Sequence, residues 1–300
     1  MLSINTSSAS MAAVNAINTS MDSLSTSMER LATGNRINSS SDDAAGKQIA
    51  NRLTAQSSGM GVALSNIDDA TAMLQTADST FDEMTDVLGR MSDLATQAAN
   101  GTYNDDDLQA MQDEYDELGQ QMSDMLQNTT YGGTNLFGSN TGEDGLFQGS
   151  VTFQVGAESS DTMTVDISSQ LGNLTADLKG ISASFSADQA DTTGTAGVSG
   201  GTELTASGSA NTMIDSISTA MDDVSKIQSK LGASINRLND TANNLTSMQD
   251  NTEVAIGNIM DTDYATEASN MTKQQVLSQT GITMLKQSNS MSSMVSSLLQ

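Results

Sequence analysis

Between residues 14 and 31 the large apolar side chains are Val14, Ile17, Met21, Leu24, Met28 and Leu31, stepping by 3, 4, 3, 4 and 3. That stepping is the seam of a coiled coil. It recurs in Leu64, Ile67, Ala70, Leu74, Ala77, Phe81, Met84, Leu88 and Met91, and again in Leu108, Met111, Tyr115, Leu118, Met122 and Met125. Ile214, Ile217, Met221 and Val224 resume it, followed less strictly by Leu231, Leu238, Leu245 and Met248. Near the C-terminus Leu277, Met284, Met291 and Leu298 fall every seven residues, with Gly281, Ser288 and Val295 between them, so this seam is thin. The chain has no Pro and no Trp, 20 Met and only 3% aromatic residues. Without proline the strongest helix breaker is missing, and this composition favours helices over sheets. The expected fold class is mainly α: a long antiparallel helical coiled-coil bundle with a β-hairpin, a small variable outer segment, and paired N- and C-termini.

Two interruptions punctuate the helices. The first seam stops before Thr33-Gly34-Asn35, and helical patterning restarts at Asp42 or Asp43, residues suited to an N-terminal cap. The second helix is expected to end near Asn100-Gly101 and the third to start after Asn104-Asp105. The run Asp105-Asp106-Asp107 reads as favourable charge at a helix N-terminus; Ala110 stands where a calcium-binding EF-hand loop requires glycine. Residues 131–150 are turn-rich. Val151–Gly156 and Asp161–Ser168 alternate with the strand period and predict a β-hairpin. From Gly172 to Ser209 the chain is rich in Ser, Thr, Gly and Ala with little periodicity, consistent with a flexible loop or a small outer module. A second helix break is expected at Met260–Ala268. The layout is nearly palindromic, which brings the two ends together and sends the middle to the far tip.

Residue types remove several functions. With no Cys and no His there is no thiol catalysis, no disulfide, no Cys/His zinc site and no His-based triad. No cofactor, metal or catalytic site is expected, and the chain reads as a non-enzyme. No apolar run approaches a transmembrane length, so no membrane insertion is expected, and the first residues lack the features of a standard secretory signal. The net charge of −26 argues against nucleic acid as a partner. From Leu53 to Ser225 there are 27 acidic and two basic residues, whereas the two ends together hold ten acidic and nine basic. One reading is a generic solvated acidic surface; the other is a chain whose ends assemble while its middle faces outward. One apolar seam returns less than the entropy of ordering some thirty residues, so the ends are expected to need neighbouring copies; the competing reading is an autonomous helical pair.

The stretch "ERLATGNRINSSSDDAAGKQIANRL" (Glu29–Leu53) resembles the N-terminal signature of bacterial flagellins. The likeness continues through "DLATQAANGTYNDDDLQAMQDEYDEL", "FQVGAESSDTMTVDI", "LGASINRLNDTANNL" and "DTDYATEASNMTKQQVLSQTG" to "VSSLLQ". It implies a structural subunit that self-assembles into the helical flagellar filament used for motility, exported unfolded by a type III apparatus and extracellular in its final place. By that resemblance residues 1–41 and 261–300 are inner coiled-coil tube segments with their connecting spoke. Residues 42–171 and 210–260 are a helical shell with the hairpin near 151–168, and 172–209 is a short outer segment. The implied partners are other copies (a homopolymer), an export chaperone, and the filament cap and hook-associated junction proteins. Arg90, Leu94 and Glu114 match a patch read in many flagellins by a vertebrate Toll-like receptor, or used in subunit packing; Gly89 and Ser92 depart from the strongest form of that motif. Thr192, Thr193, Ser207 and Ser209 are either candidate acceptors of O-linked sugars or plain loop. The alternative function is a secreted type III translocator or tip-like helical protein, which would need a hydrophobic span or basic amphipathic face.

Overall fold

Helix α1 (Ser8–Thr33) ends at Gly34, whose φ of +76° is a left-handed conformation that glycine adopts without a steric penalty. The Gly34 N–H donates to the Arg30 carbonyl at 2.9 Å and closes the helix. In this computed structural model the described residues are 8–138, 145–185, 201–206 and 208–298. After α1 come α2 (Ala44–Ala98), α3 (Asp105–Asn128), strands β1 (Thr130–Tyr131) and β2 (Thr134–Asn135), and a 3₁₀ turn at Leu146–Gln148. Strands β3 (Val151–Gln154) and β4 (Thr162–Val165), then α4 (Ser168–Ile181), α5 (Ser209–Met260) and α6 (Tyr264–Leu298) complete the order. The chain is mainly α, and its sheets are two antiparallel two-stranded pairs, β1–β2 and β3–β4.

The chain divides into two compact units, Met1–Ser58 with Gln249–Gln300, and Gly59–Met248. In the second unit the seam of α2 faces inward: Ile67, Leu74, Ala77, Phe81, Met84, Leu88 and Met91 are each at most 1% exposed. Tyr115 and Met122 of α3 and Ile217, Val224, Leu231 and Leu238 of α5 are fully buried in the same core. Met248, which extends the α5 pattern in sequence, is 45% exposed and outside it. Asn104 caps α3, accepting from the Asp107 N–H while Asp107 returns to the Asn104 N–H, so the acidic run serves a helix terminus.

The hairpin pairs Val151 with Val165 and Phe153 with Met163, turning Met163 and Val165 into the core. Its strands are shorter than the sequence pattern suggests, because Asp161 folds the connection back by accepting the Glu158 N–H. The turn-rich stretch holds a second small hairpin, and Phe137 packs edge-on against Phe81 at 5.0 Å and stacks with Phe147 at 6.0 Å.

The segment read as weakly periodic from Gly172 begins inside helix α4. Leu171, Leu174, Leu178 and Ile181 line its buried face, and Phe185 follows them into the core. Residues 201–206 return beside α3 through a polar network. The buried Gln112 amide donates to Asp116 Oδ1 (2.9 Å) and Glu203 Oε2 (2.8 Å) and accepts the Leu204 N–H (2.7 Å). Gly201 N–H donates to Asp116 and Ala183 N–H to Glu203. Burial pushes the Asp116 carboxyl above its ordinary value. Thr192, Thr193 and Ser207 lie outside the described residues.

Candidate assembly surface on the terminal helices

Within the first unit α1 and α6 run antiparallel. Ser10 Oγ lies 3.0 Å from Ser288 Oγ, and a Cβ built on Gly281 would fall 2.7 Å from Ile17 Cγ1. The Ser278 hydroxyl reaches Met21 Sδ at 3.6 Å, and the Arg30 guanidinium lies 3.9 Å from the Glu267 carboxylate. The inward residues of α6 are Glu267, Met271, Gln274, Ser278, Gly281, Leu285 and Ser288, stepping by 4, 3, 4, 3, 4 and 3. On α1 they include Ser10, Ala13, Ile17, Ser20, Leu24, Ser27 and Leu31, again in threes and fours. Small residues make up four of the seven on α1 and three of the seven on α6, and the two backbones approach closely where Gly281 meets Ile17.

The apolar seam expected from the sequence is therefore divided. Ile17, Leu24 and Leu31 turn toward α6, whereas Val14 is 41%, Met21 53% and Met28 50% exposed. On α6, Leu277 is 47%, Met284 65% and Met291 58% exposed; the Leu298 side chain lies outside the described residues. Met11, Val276, Ile282 and Met294 add to the uncovered apolar surface. Sequence reading treated the large apolar residues as one seam and missed the small-residue stripe. Its signal was present in Ser278, Gly281 and Ser288, spaced by three and seven residues.

The break after α1 is built by hydrogen bonds to the break before α6. Asn35 bridges antiparallel to Asp261; Arg36 N–H donates to Met260 O (2.6 Å) and Thr262 N–H to Gly34 O (2.9 Å). The Arg36 guanidinium donates to Ile259 O at 2.8 Å. Asp42 Oδ2 accepts the Ser39 and Asn38 N–H groups at 2.9 and 3.1 Å, and those bonds hold its carboxyl below the ordinary range. Asp43 caps α2 by accepting the Gly46 N–H. Asp263 caps α6 through the Thr266 hydroxyl and the Ala265 and Thr266 N–H groups, which also lower its carboxyl.

The second expected patch is brought together in part. Arg90 Nε and Nη2 both reach Glu114 Oε1, at 2.7 and 2.6 Å, on half-exposed side chains. Leu94 is 2% exposed and belongs to the core, so it is not a surface anchor; its place on the α2 helix turns it inward beside Met91 and Ala95.

Residues 4–141 match the family described as bacterial flagellin N-terminal helical region, and residues 214–299 the bacterial flagellin C-terminal helical region. These are the two ends that carry α1, α6 and both breaks. The chain belongs to the flagellin family. This flagellin is 37% identical over 168 residues to Flagellin A of Vibrio anguillarum, a match covering 56% of this chain and 42% of that one. It is 40% identical over 157 residues to polar flagellin C of Vibrio parahaemolyticus, covering 52% and 37%. The chain thus spans about two-fifths of the length of the curated relatives it matches. A solved structure from Vibrio parahaemolyticus, described as a flagellar hook-associated protein, superposes with a TM-score of 0.52 at 16% identity. It covers 73% of this chain and 100% of its own, a likeness of fold.

Proposed function

We propose that this flagellin is a structural subunit that self-assembles into the helical filament of a bacterial flagellum, outside the cell and after export. The observation that carries this reading is the uncovered apolar stripe on α1 and α6. Pairing through small residues leaves Val14, Met21, Met28, Leu277, Met284 and Met291 exposed at heptad spacing, and large apolar side chains left to water in such rows mark an interaction surface. Other copies of the same helices supply matching stripes. In this reading residues 1–41 and 261–300 form the inner tube, 42–171 and 210–260 the shell around it, and 172–209 the outer segment, whose first stretch is anchored in the core through Leu174, Leu178 and Ile181 of α4. An export chaperone, a filament cap and hook-associated junction proteins would be its other partners. Any contact with a Toll-like receptor would rest on Arg90 and Glu114 without Leu94.

A structural role also suits the charge distribution, since the acidic middle tolerates exposure better than close packing. The translocator alternative has less behind it: among the described residues no helix is long and apolar enough to cross a membrane. The test is direct. Purified chain brought from low to moderate salt, which screens the acidic middle, should yield helical filaments by negative-stain electron microscopy. A monodisperse monomer at every salt and protein concentration would refute the proposal.

A further inference from the structure

The methionines of this chain fall into two populations. Met60, Met84, Met91, Met122 and Met163 of the second unit are at most 4% exposed. Among the described residues, six of the seven strongly exposed methionines lie on α1 or α6: Met11 (61%), Met21, Met28, Met284, Met291 and Met294; the seventh is Met248. A thioether is soft and nucleophilic, and exposure decides how readily an oxidant reaches it.

We propose that Met11, Met28, Met284 and Met291 form an oxidative modification site for hydroperoxides on the unassembled chain, and that their sulfoxidation blocks assembly without unfolding the second unit. Met21 is left out of the set because its sulfur accepts the Ser278 hydroxyl at 3.6 Å. In the reaction a sulfur lone pair attacks one peroxide oxygen, the S–O bond forms and the O–O bond breaks. The departing hydroxide of hydrogen peroxide, or the alkoxide of an alkyl hydroperoxide, takes the proton from the new S–OH group and leaves as water or as the alcohol. Sulfur is oxidised by two electrons and the peroxide is reduced by two.

The product is a polar, strongly hydrogen-bond-accepting group in place of a flexible apolar one. Exposed to water it costs the isolated chain little. Buried without a donor in a dry helix–helix seam it is unfavourable. The large apolar side chains that share these exposed faces at heptad spacing, Val14 and Leu277 among them, carry no donor group. Core sulfurs are reached only through opening of the fold, which slows their oxidation by about tenfold or more. The consequence for assembly rests on the proposed function above; the location of the site does not.

The test uses the full chain, unassembled at low salt and treated with hydrogen peroxide, with sulfoxides mapped by peptide mass spectrometry over time. Met11, Met28, Met284 and Met291 should oxidise about tenfold or more faster than Met84, Met91 and Met122. After transfer to assembly conditions the oxidised chain should pellet several-fold less than untreated chain, and methionine sulfoxide reductase with a thiol reductant should restore it. A variant carrying M11L, M28L, M284L and M291L should keep assembling after peroxide. Even oxidation of core and stripe overturns the site. Undiminished pelleting of the fully oxidised chain, or equal loss in the leucine variant, overturns the consequence. If untreated chain never pellets, the assembly reading has failed, and the mapping still decides the site.

Discussion

Gly281 of α6 sits against Ile17 of α1 so closely that a β-carbon on it would lie 2.7 Å from Ile17 Cγ1. This contact sets the approach of the two terminal helices. Gly281→Val would gain helix propensity over glycine but add three carbons where none fit, and overpacking of this kind costs about 1–3 kcal/mol. Faster amide exchange along α1 and α6 is expected, with the Gly59–Met248 unit unchanged. Exchange indistinguishable from wild type would show that the helices do not depend on this approach.

Much of the fold was legible because large apolar residues report burial in a core. The α2 seam from Ile67 to Met91 is buried as its spacing implies, and the capping of α3 by Asn104 follows from residue type. Helix α4 escaped because Leu171, Leu174, Leu178 and Ile181 make only one short run among turn-forming neighbours, too brief to outweigh composition. The Gln112–Asp116–Glu203 network was invisible, since nothing in the sequence links α3 to a segment some ninety residues on. At the candidate site the large residues were found but their partners were not. The heptad pattern of Val14 to Leu31 cannot say which flank meets α6, because small residues that permit close packing carry no hydrophobic signal. The inward side of Leu94 was hidden for a related reason: a motif names a residue without giving its face of the helix.

Exposed apolar residues that serve assembly should be separable from those that serve folding. Met28→Glu and Met284→Glu each change a side chain at least 50% exposed, so the isolated chain's stability should move by no more than about 0.5 kcal/mol. Filament yield should nevertheless collapse, because a carboxylate would be forced into a seam between copies. Urea unfolding and pelleting measured on the same samples check both halves. Loss of stability together with loss of filaments would place these residues in the fold.

The breaks flanking α1 and α6 should be acid-sensitive. The Asp42 carboxyl is lowered chiefly by the Ser39 N–H, and that of Asp263 chiefly by the Thr266 hydroxyl. A carboxyl whose folded value is depressed stabilises the fold above its ordinary value near 4 and loses that contribution as pH falls through the folded value. Asn at both positions keeps an acceptor but cannot titrate. The stability advantage of wild type over the D42N/D263N variant should therefore be largest near neutrality and shrink below about pH 4. An advantage that does not change with pH would exclude this role for the two caps.

Arg90 and Leu94 lie one helical turn apart and should behave oppositely. The Arg90–Glu114 pair is half-exposed, and exposed ion pairs contribute about 0.2–1 kcal/mol, less at high salt. A double-mutant cycle with Arg90→Ala and Glu114→Ala should return a coupling in that range. Leu94→Ala empties a buried position and should cost about 2–5 kcal/mol. A Leu94→Ala chain as stable as wild type would contradict the inward placement of that side chain.

Gln112 holds two carboxylates through one amide group, with its Nε2 donating to both Asp116 and Glu203. Gln112→Leu keeps much of the volume and removes both donors, leaving buried anionic oxygens without a partner. The expected loss at neutral pH is about 2–4 kcal/mol. Asp116 is already pushed above its ordinary value by burial, and losing the amide donor raises it further. A group raised in the folded state adds stability as pH falls through its folded value. The penalty of Gln112→Leu should accordingly shrink on moderate acidification, as Asp116 takes up a proton and no longer needs the lost amide donor. Urea unfolding of both chains at neutral and mildly acidic pH measures this. A penalty that stays constant or grows would mean that packing of the amide, rather than its two bonds to carboxylates, holds residues 201–206 against α3.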